Sequence, residues 1–335
     1  MVDDAASGAP RCGTVALVGR PNAGKSTLLN RLVGERVAAV SDKPQTTRTR
    51  IVGIVTEPRG QMVLYDTPGM HKGEHRLNRR MVETATETLG AADVVCLLVD
   101  AAVPFGGGDQ HLLELLGKVE APRLLALNKI DLVKKPALLP LMARYADSRL
   151  FEEIVPLSAF DGDGVELLAR ELWARLPEGP PLYDAELVTL HPERFLVAER
   201  IREQVLRHTR DELPFATAVL IDSWEDDPQR ELVRILATIL VEREGQRAIV
   251  IGREGSLIKT ISTAARQDLE EFLGRQVFLR ATVRCEPRWR ESRGILDLLE
   301  RESVAVDFSG TEDAGGSVDD LDDLPVDEAS DEAAD

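Results

Sequence analysis

Short apolar runs alternate with stretches of helical spacing through the first 175 residues. Residues 14–18, 49–55, 62–65, 94–99, 123–127 and 153–156 predict strands, and residues 25–33, 79–89, 110–116, 138–145 and 164–175 predict helices. This alternation predicts an α/β fold, a doubly wound sheet with helices on its faces. TEPRGQ, residues 56–61, reads as a turn between adjacent strands, so one strand pair is predicted antiparallel. PEGPPLYDAEL, residues 177–187, crowds proline and glycine behind the last helix and predicts an interdomain linker over 177–191. After it the rhythm changes. Residues 192–209 form an amphipathic helical pattern and 255–274 a second one, while 215–226, 232–244 and 276–287 read as strands. This second block predicts a smaller α+β domain, and no internal repeat is visible.

A length of 335 residues suits two domains, each with its own core. No window approaches eighteen uninterrupted apolar residues, so no transmembrane helix is predicted. The opening MVDDAASGAP lacks the apolar core of a secretory signal. Cys12, Cys96 and Cys285 stand far apart, make no CxxC or metal spacing, and are expected to be free thiols in a reducing cytoplasm. The net charge of −17 is unevenly spread: residues 303–335 hold twelve Asp and Glu and no Lys or Arg, which leaves −5 on the rest. That segment is expected to be a disordered acidic tail. The mildly acidic body does not exclude nucleic-acid binding.

Chemistry gathers at predicted strand ends. Gly19-Arg20-Pro21-Asn22-Ala23-Gly24-Lys25-Ser26, followed by Thr27, fits GxxxxGK(S/T) between a strand and a helix. Glycines let the backbone curl so that N–H groups face phosphate oxygens. The lysine ammonium sits between β- and γ-phosphates, the serine hydroxyl faces Mg²⁺, and the helix N-terminus adds its dipole. Asp66-Thr67-Pro68-Gly69 ends the third strand; its carboxylate can hold Mg²⁺ through water and the Gly69 N–H can reach a γ-phosphate. Asn128-Lys129-Ile130-Asp131 follows the fifth strand. Asp131 can accept hydrogen bonds from N1–H and the exocyclic amine of guanine, whereas adenine leaves it unpaired, a discrimination of roughly 10⁴-fold or more. Ser158-Ala159, after the sixth strand, would add a backbone N–H to guanine O6. Ser-Ala alone carries little weight; the four motifs in this order at successive strand ends are specific. An ATPase reading fails on Asp131.

With these motifs, the first 175 residues resemble a Ras-like, translation-factor-class GTPase. QTTRTRIVGIV, residues 45–55, together with the linker and second domain, resembles the bacterial Era family over residues 12–300. The resemblance implies a G domain over 12–176, a six-stranded mixed sheet flanked by helices, which binds GTP and GDP with Mg²⁺. In that family the threonine before the first-switch arginine caps Mg²⁺ and senses the γ-phosphate, which maps to Thr47 with Thr46 as the fallback. Ras places a water-orienting glutamine after DxxG, where this chain has Met70. Asn22 has two readings: a K⁺ ligand, as in related GTPases, or a residue that only closes the loop turn.

In the second domain, IVIGREGSLIKTIS holds Gly252-Arg253-Glu254-Gly255 between an apolar segment and a helix. A GxxG there is the loop with which KH domains clamp a nucleic-acid backbone. Arg253 and Lys259 would help through their side chains; Glu254 is unfavourable beside phosphate. Residues 247–302 carry eleven Lys and Arg against nine acidic groups, and Arg280, Arg284, Arg288, Arg290 and Arg293 suggest a basic surface. The strand-containing block over 192–302 resembles a type II KH domain. The resemblance implies a cytoplasmic, monomeric GTP-driven switch. Its RNA is single-stranded, the 3′ end of 16S rRNA, in assembly of the 30S subunit. Peripheral contact with the inner membrane face stays open. The alternative is a GTPase whose second domain docks a protein or membrane partner.

Overall fold

The computed structural model describes residues 9–43, 46–69, 75–209 and 213–304. Gln45, Met70 and the predicted tail from residue 305 onward lie outside the described residues.

The first domain runs β1 (Arg11–Gly19), α1 (Lys25–Val33), β2 (Ile51–Glu57), β3 (Gly60–Asp66), α2 (Arg76–Ala91), β4 (Val94–Asp100), α3 (Gly107–Leu116), β5 (Arg123–Asn128), α4 (Lys135–Ala146), β6 (Glu153–Pro156) and α5 (Val165–Arg175). Among the described residues its sheet has six strands in the order β2-β3-β1-β4-β5-β6. Only β2 and β3 pair antiparallel, across the predicted turn, with Ile51 opposite Asp66. The central strands are continuous runs of Val and Leu because helices cover both faces. One core lies under α1 and α5, the other under α2, α3 and α4. Strand order reverses about β1, so the carboxyl ends of β1, β3, β4 and β5 open on one edge where loops can meet a ligand.

The second domain runs α6 (Glu193–His208), α7 (Leu213–Ala216), β7 (Ala218–Asp227), β8 (Leu232–Val241), α8 (Glu244–Ile251), α9 (Ser256–Leu273), β9 (Gln276–Cys285) and α10 (Arg293–Ser303). Its sheet, β7-β8-β9, pairs β7 with β8 antiparallel and β8 with β9 parallel. Two elements depart from the sequence reading. The apolar segment before Gly252 is the helix α8 rather than a continuation of β8, which stops at Val241. Arg243 is extended, and Gln246 accepts the Glu242 and Arg243 N–H groups, so the chain turns into a helix there. α10 lies beyond the last predicted strand and carries the domain to Ser303, whose side chain is buried.

The linker is a strap, not a free tether. Val52 and Ile54 of the edge strand β2 pack with Tyr183 and Leu190. Ile54 N–H donates to the Val188 carbonyl at 2.9 Å, and Val52 N–H donates to His191 Nε2 at 2.9 Å. An otherwise open sheet edge is thereby covered. Beyond the strap, Leu77 and Met81 of α2 share an apolar cluster with Leu220, Leu240, Trp289, Ile295 and Leu296. Trp289 is fully buried and its Nε1 donates to the Ala216 carbonyl at 2.9 Å. Truncating such a side chain to alanine costs about 3–5 kcal/mol.

Candidate functional site

The loop from Gly19 to Thr27 joins β1 to α1 at the open sheet edge. Gly24 takes φ +97°, and a Cβ there would meet Asn128 Nδ2 at 2.2 Å, so only glycine fits. Asn128 is the reason for that closeness. Its Nδ2 donates to the Ala23 carbonyl at 2.8 Å and its Oδ1 accepts the Ala159 N–H at 2.9 Å. One buried side chain thus ties the phosphate loop to the Ser158-Ala159 loop, and the Ala159 N–H is engaged by Asn128 rather than free for guanine O6. Lys25 is buried with Nζ 3.3 Å from the Gly19 carbonyl and 3.4 Å from that of Arg20. Burial lowers its pKa, with Asp66 opposing the shift. The Arg20 side chain turns away to Asp109 on α3 at 3.1 Å. Pro21, Asn22, Gly24, Ser26, Thr27, Thr46, Thr47, Gly69 and Lys129 line a cavity of about 200 Å³ above the loop.

On one side of this cavity three oxygen-bearing side chains converge. Ser26 Oγ donates to Asp66 Oδ2 at 2.5 Å, Thr47 Oγ1 donates to the same oxygen at 3.1 Å, and the two hydroxyls are 2.9 Å apart. Asp66 is fully buried, its Oδ1 has no hydrogen-bond partner, and burial raises its pKa against the pull of Lys25, Ser26 and Thr47. A buried carboxylate with an orphaned oxygen beside two hydroxyls fits a hard divalent cation such as Mg²⁺. Thr46 instead donates its hydroxyl to the Lys43 carbonyl at 2.7 Å. Thr67 ties β3 to β1 through the Leu17 carbonyl, and Pro68 and Gly69 are buried behind it. Asn22, at φ +63°, donates to the Asp42 carbonyl at 2.8 Å.

At the base-facing end, Lys129 reaches Asp100 at 2.7 Å, and Asp131 is exposed. Ser158 Oγ accepts the Asp161 N–H at 3.1 Å, which shapes the loop. Sequence reasoning missed Arg31. From the last turn of α1 its Nε donates to the Ala159 carbonyl at 2.9 Å, and it also bonds the Phe160 carbonyl. No motif marks it; its position one helix away from the phosphate loop is what brings it there.

In the second domain Gly252 (φ +74°) and Gly255 (φ +76°) bracket Arg253 and Glu254, and α9 begins at Ser256. A Cβ on Gly252 would meet Leu257 Cβ at 2.7 Å. Arg253, Glu254 and Lys259 are all exposed, and Ile249 just before the loop is 55% exposed. The Arg247 side chain crosses from α8 to the Val283 carbonyl on β9, which places α8 beside the free edge of the sheet. The expected five-arginine surface is smaller. Arg290 pairs with Glu242 at 2.5 Å and Arg284 lies 3.9 Å from Glu286, while Arg280, Arg288 and Arg293 are exposed.

No helix among the described residues is long and apolar enough to cross a membrane. Residues 14–129 match the family model of the 50S ribosome-binding GTPase, and residues 212–290 match that of the KH domain. The chain is 46% identical over 289 residues to GTPase Era of Geobacter metallireducens, covering 86% of this chain and 97% of that protein. It is 47% identical over 286 residues to GTPase Era of Geotalea uraniireducens, covering 85% and 96%. A crystal structure of Era in complex with MgGDPNP and nucleotides 1506–1542 of 16S ribosomal RNA superimposes with a TM-score of 0.84 at 35% identity, over 87% of this chain and 98% of that one. A tyrosine-to-alanine variant of Aquifex aeolicus Era bound to GDP·AlF4⁻ gives 0.83 at 35% identity, over 86% and 98%. At this identity and coverage, with GTPase and KH family models matched in one chain, the protein belongs to the Era family of GTPases.

Proposed function

We propose that the protein is a GTP-hydrolysing switch that binds single-stranded RNA through its KH domain, and that this RNA is the 3′ end of 16S rRNA during assembly of the 30S subunit. The observation that carries the reading is the GxxG loop: two positive-φ glycines lead into the N-terminus of α9, with Arg253 and Lys259 exposed beside it. A backbone free of side chains at that point can approach phosphate oxygens, and the helix dipole favours them. The relative solved with a 16S rRNA segment supports the choice of RNA. We assign the domains as 12–176, 177–191 and 192–302, the last extended to Ser303 by α10.

In the nucleotide site, the loop N–H groups hold the phosphates, and Lys25 exchanges its carbonyl partners for phosphate oxygens. Ser26, Thr47 and, through water, Asp66 would hold Mg²⁺, which when bound neutralises charge on the phosphates. Asp131 reads guanine, with Asn128 and Lys129 bracing the loops around it. Met70 offers the attacking water neither donor nor acceptor, so its orientation falls to backbone groups. In this reading the Asn22 Oδ1 takes K⁺, its Nδ2 being held by the Asp42 carbonyl. The protein acts in the cytoplasm as a monomer in this reading. Crosslinking to total RNA with GTP or GDP bound, followed by sequencing, tests it. Enrichment of the 16S 3′ end that depends on the nucleotide supports it; absence of crosslinked RNA favours a protein- or membrane-docking domain.

A further inference from the structure

We infer that Arg202, on the first helix of the KH domain, is a positioning residue for the switch threonine of the G domain, so that the seating of the KH domain sets how well Thr47 is presented to Mg²⁺. The inference rests on the reading of Thr47 as a magnesium ligand.

Arg202 is 2% exposed and donates to the Thr46 carbonyl. Its other contacts are to Glu199 of the same helix, at 2.7 Å from Nε and 2.5 Å from Nη2. The Thr46 carbonyl and the Thr47 N–H share one planar peptide unit. Fixing that carbonyl therefore restricts the direction in which the Thr47 side chain leaves the backbone. That side chain ends 2.9 Å from Ser26 Oγ and 3.1 Å from Asp66 Oδ2. The guanidinium is thus two bonded contacts away from the cradle but belongs to the other domain.

Neighbouring contacts have the same origin. Glu203, fully buried one residue along α6, accepts the Val40 N–H at 3.2 Å and pairs with Arg36 at 2.9 Å. Arg36 also reaches Asp268 of α9 at 2.5 Å. Arg48 donates to the Thr217 carbonyl at 2.6 Å and lies 5.6 Å from the Trp289 ring centroid. The G domain holds the same stretch through Asn30 at Val37 and Ala38, through Asn22 at Asp42, and through Thr47 itself. Residues 36–43 and 46–48 are shared between the two domains, and the charge-assisted, desolvated contact on the Thr46–Thr47 peptide comes from α6. By linkage, whatever favours Thr47 at the cradle favours this docking of α6, and the reverse.

The test is binding of a fluorescent, non-hydrolysable GTP analogue as Mg²⁺ is titrated. Two variants are compared with wild type. Arg202→Lys keeps the charge beside Glu199 but lacks the fork that spans Glu199 and Thr46 together. The double variant Arg202→Met, Glu199→Gln removes both charges, so neither is left buried alone. The Mg²⁺ concentration for half-saturation is expected to rise about tenfold in each, the scale seen when groups supporting a ligand are removed. Affinity for GDP, which has no γ-phosphate for the threonine to sense, is expected to stay within about twofold. Thr47→Ala is the control for the underlying reading. If it too leaves half-saturation unchanged, the magnesium assignment of Thr47 is wrong. If it raises half-saturation while Arg202→Lys does not, this inference alone is overturned, whatever the melting temperatures. In a Thr47→Ala background, changing Arg202 should add nothing further.

Discussion

Thr47 Oγ1 donates to Asp66 Oδ2 at 3.1 Å, across nineteen residues of sequence, and Ser26 Oγ joins the same oxygen. The P-loop, the first switch and the end of β3 thus meet at one buried carboxylate. Thr47→Ala is expected to slow GTP hydrolysis by about tenfold or more. Thr46→Ala should cost less, because its hydroxyl serves the Lys43 carbonyl. Single-turnover hydrolysis measures both, and a larger loss at Thr46 would reverse the assignment.

Base selection makes a separate prediction. Asp131→Asn replaces one acceptor by a donor, which suits the carbonyl of xanthine where guanine has an amine. GTP affinity should fall by at least about a hundredfold while xanthosine triphosphate gains. Titration of both nucleotides against the variant checks this, and unchanged GTP affinity would remove Asp131 from the site.

Asn22 bridges the phosphate loop to the Asp42 carbonyl. Hydrolysis is expected to run faster in K⁺ than in Na⁺ at equal ionic strength, and Asn22→Ala should abolish the difference. Equal wild-type rates in the two salts would assign Asn22 to the loop turn alone.

His191 ties the strap to both domains. Its Nε2 accepts the Val52 N–H, and Nδ1 donates to the Ser303 carbonyl at 2.5 Å. Burial lowers its pKa from 6.5. The unfolded chain therefore takes up this proton first as pH falls. The stabilisation is complete above about pH 6.5 and is lost as pH falls through the window below it. Melting temperatures at about pH 7.5 and 5.5 should differ more for wild type than for His191→Gln; equal differences would contradict the role given to the ring.

The nucleotide site was legible because each motif is local: a loop of eight residues or fewer at a strand end, whose spacing alone fixes its shape. Strand pairing across residues 56–61 was legible for the same reason. What the sequence hid is contact between elements distant along the chain. The 192–209 pattern reads as an amphipathic helix with a solvated polar face, yet Arg200, Arg202 and Glu203 are buried and bonded to Arg36, Thr46, Val40 and Asp268 of α9. Charged residues buried by pairing across domains look like surface charge in one dimension. α8 was obscured because its apolar residues, Ala248 to Ile251, are too short a run to separate strand from helix. Arg290 joined a basic cluster in sequence, but its partner Glu242 is 48 residues away.

The GxxG loop of this GTPase is proposed to grip RNA. Fluorescence anisotropy with a short single-stranded RNA, at several salt concentrations, measures it most directly in the paired substitution Arg253→Asp, Lys259→Asp. Both side chains are exposed and neither lines the nucleotide cavity, so GTP binding and the melting temperature should hold. RNA binding is expected to weaken by about 1–3 kcal/mol, roughly tenfold to a hundredfold, with a shallower salt dependence. RNA bound as tightly as by wild type, with the same salt slope, would contradict the account.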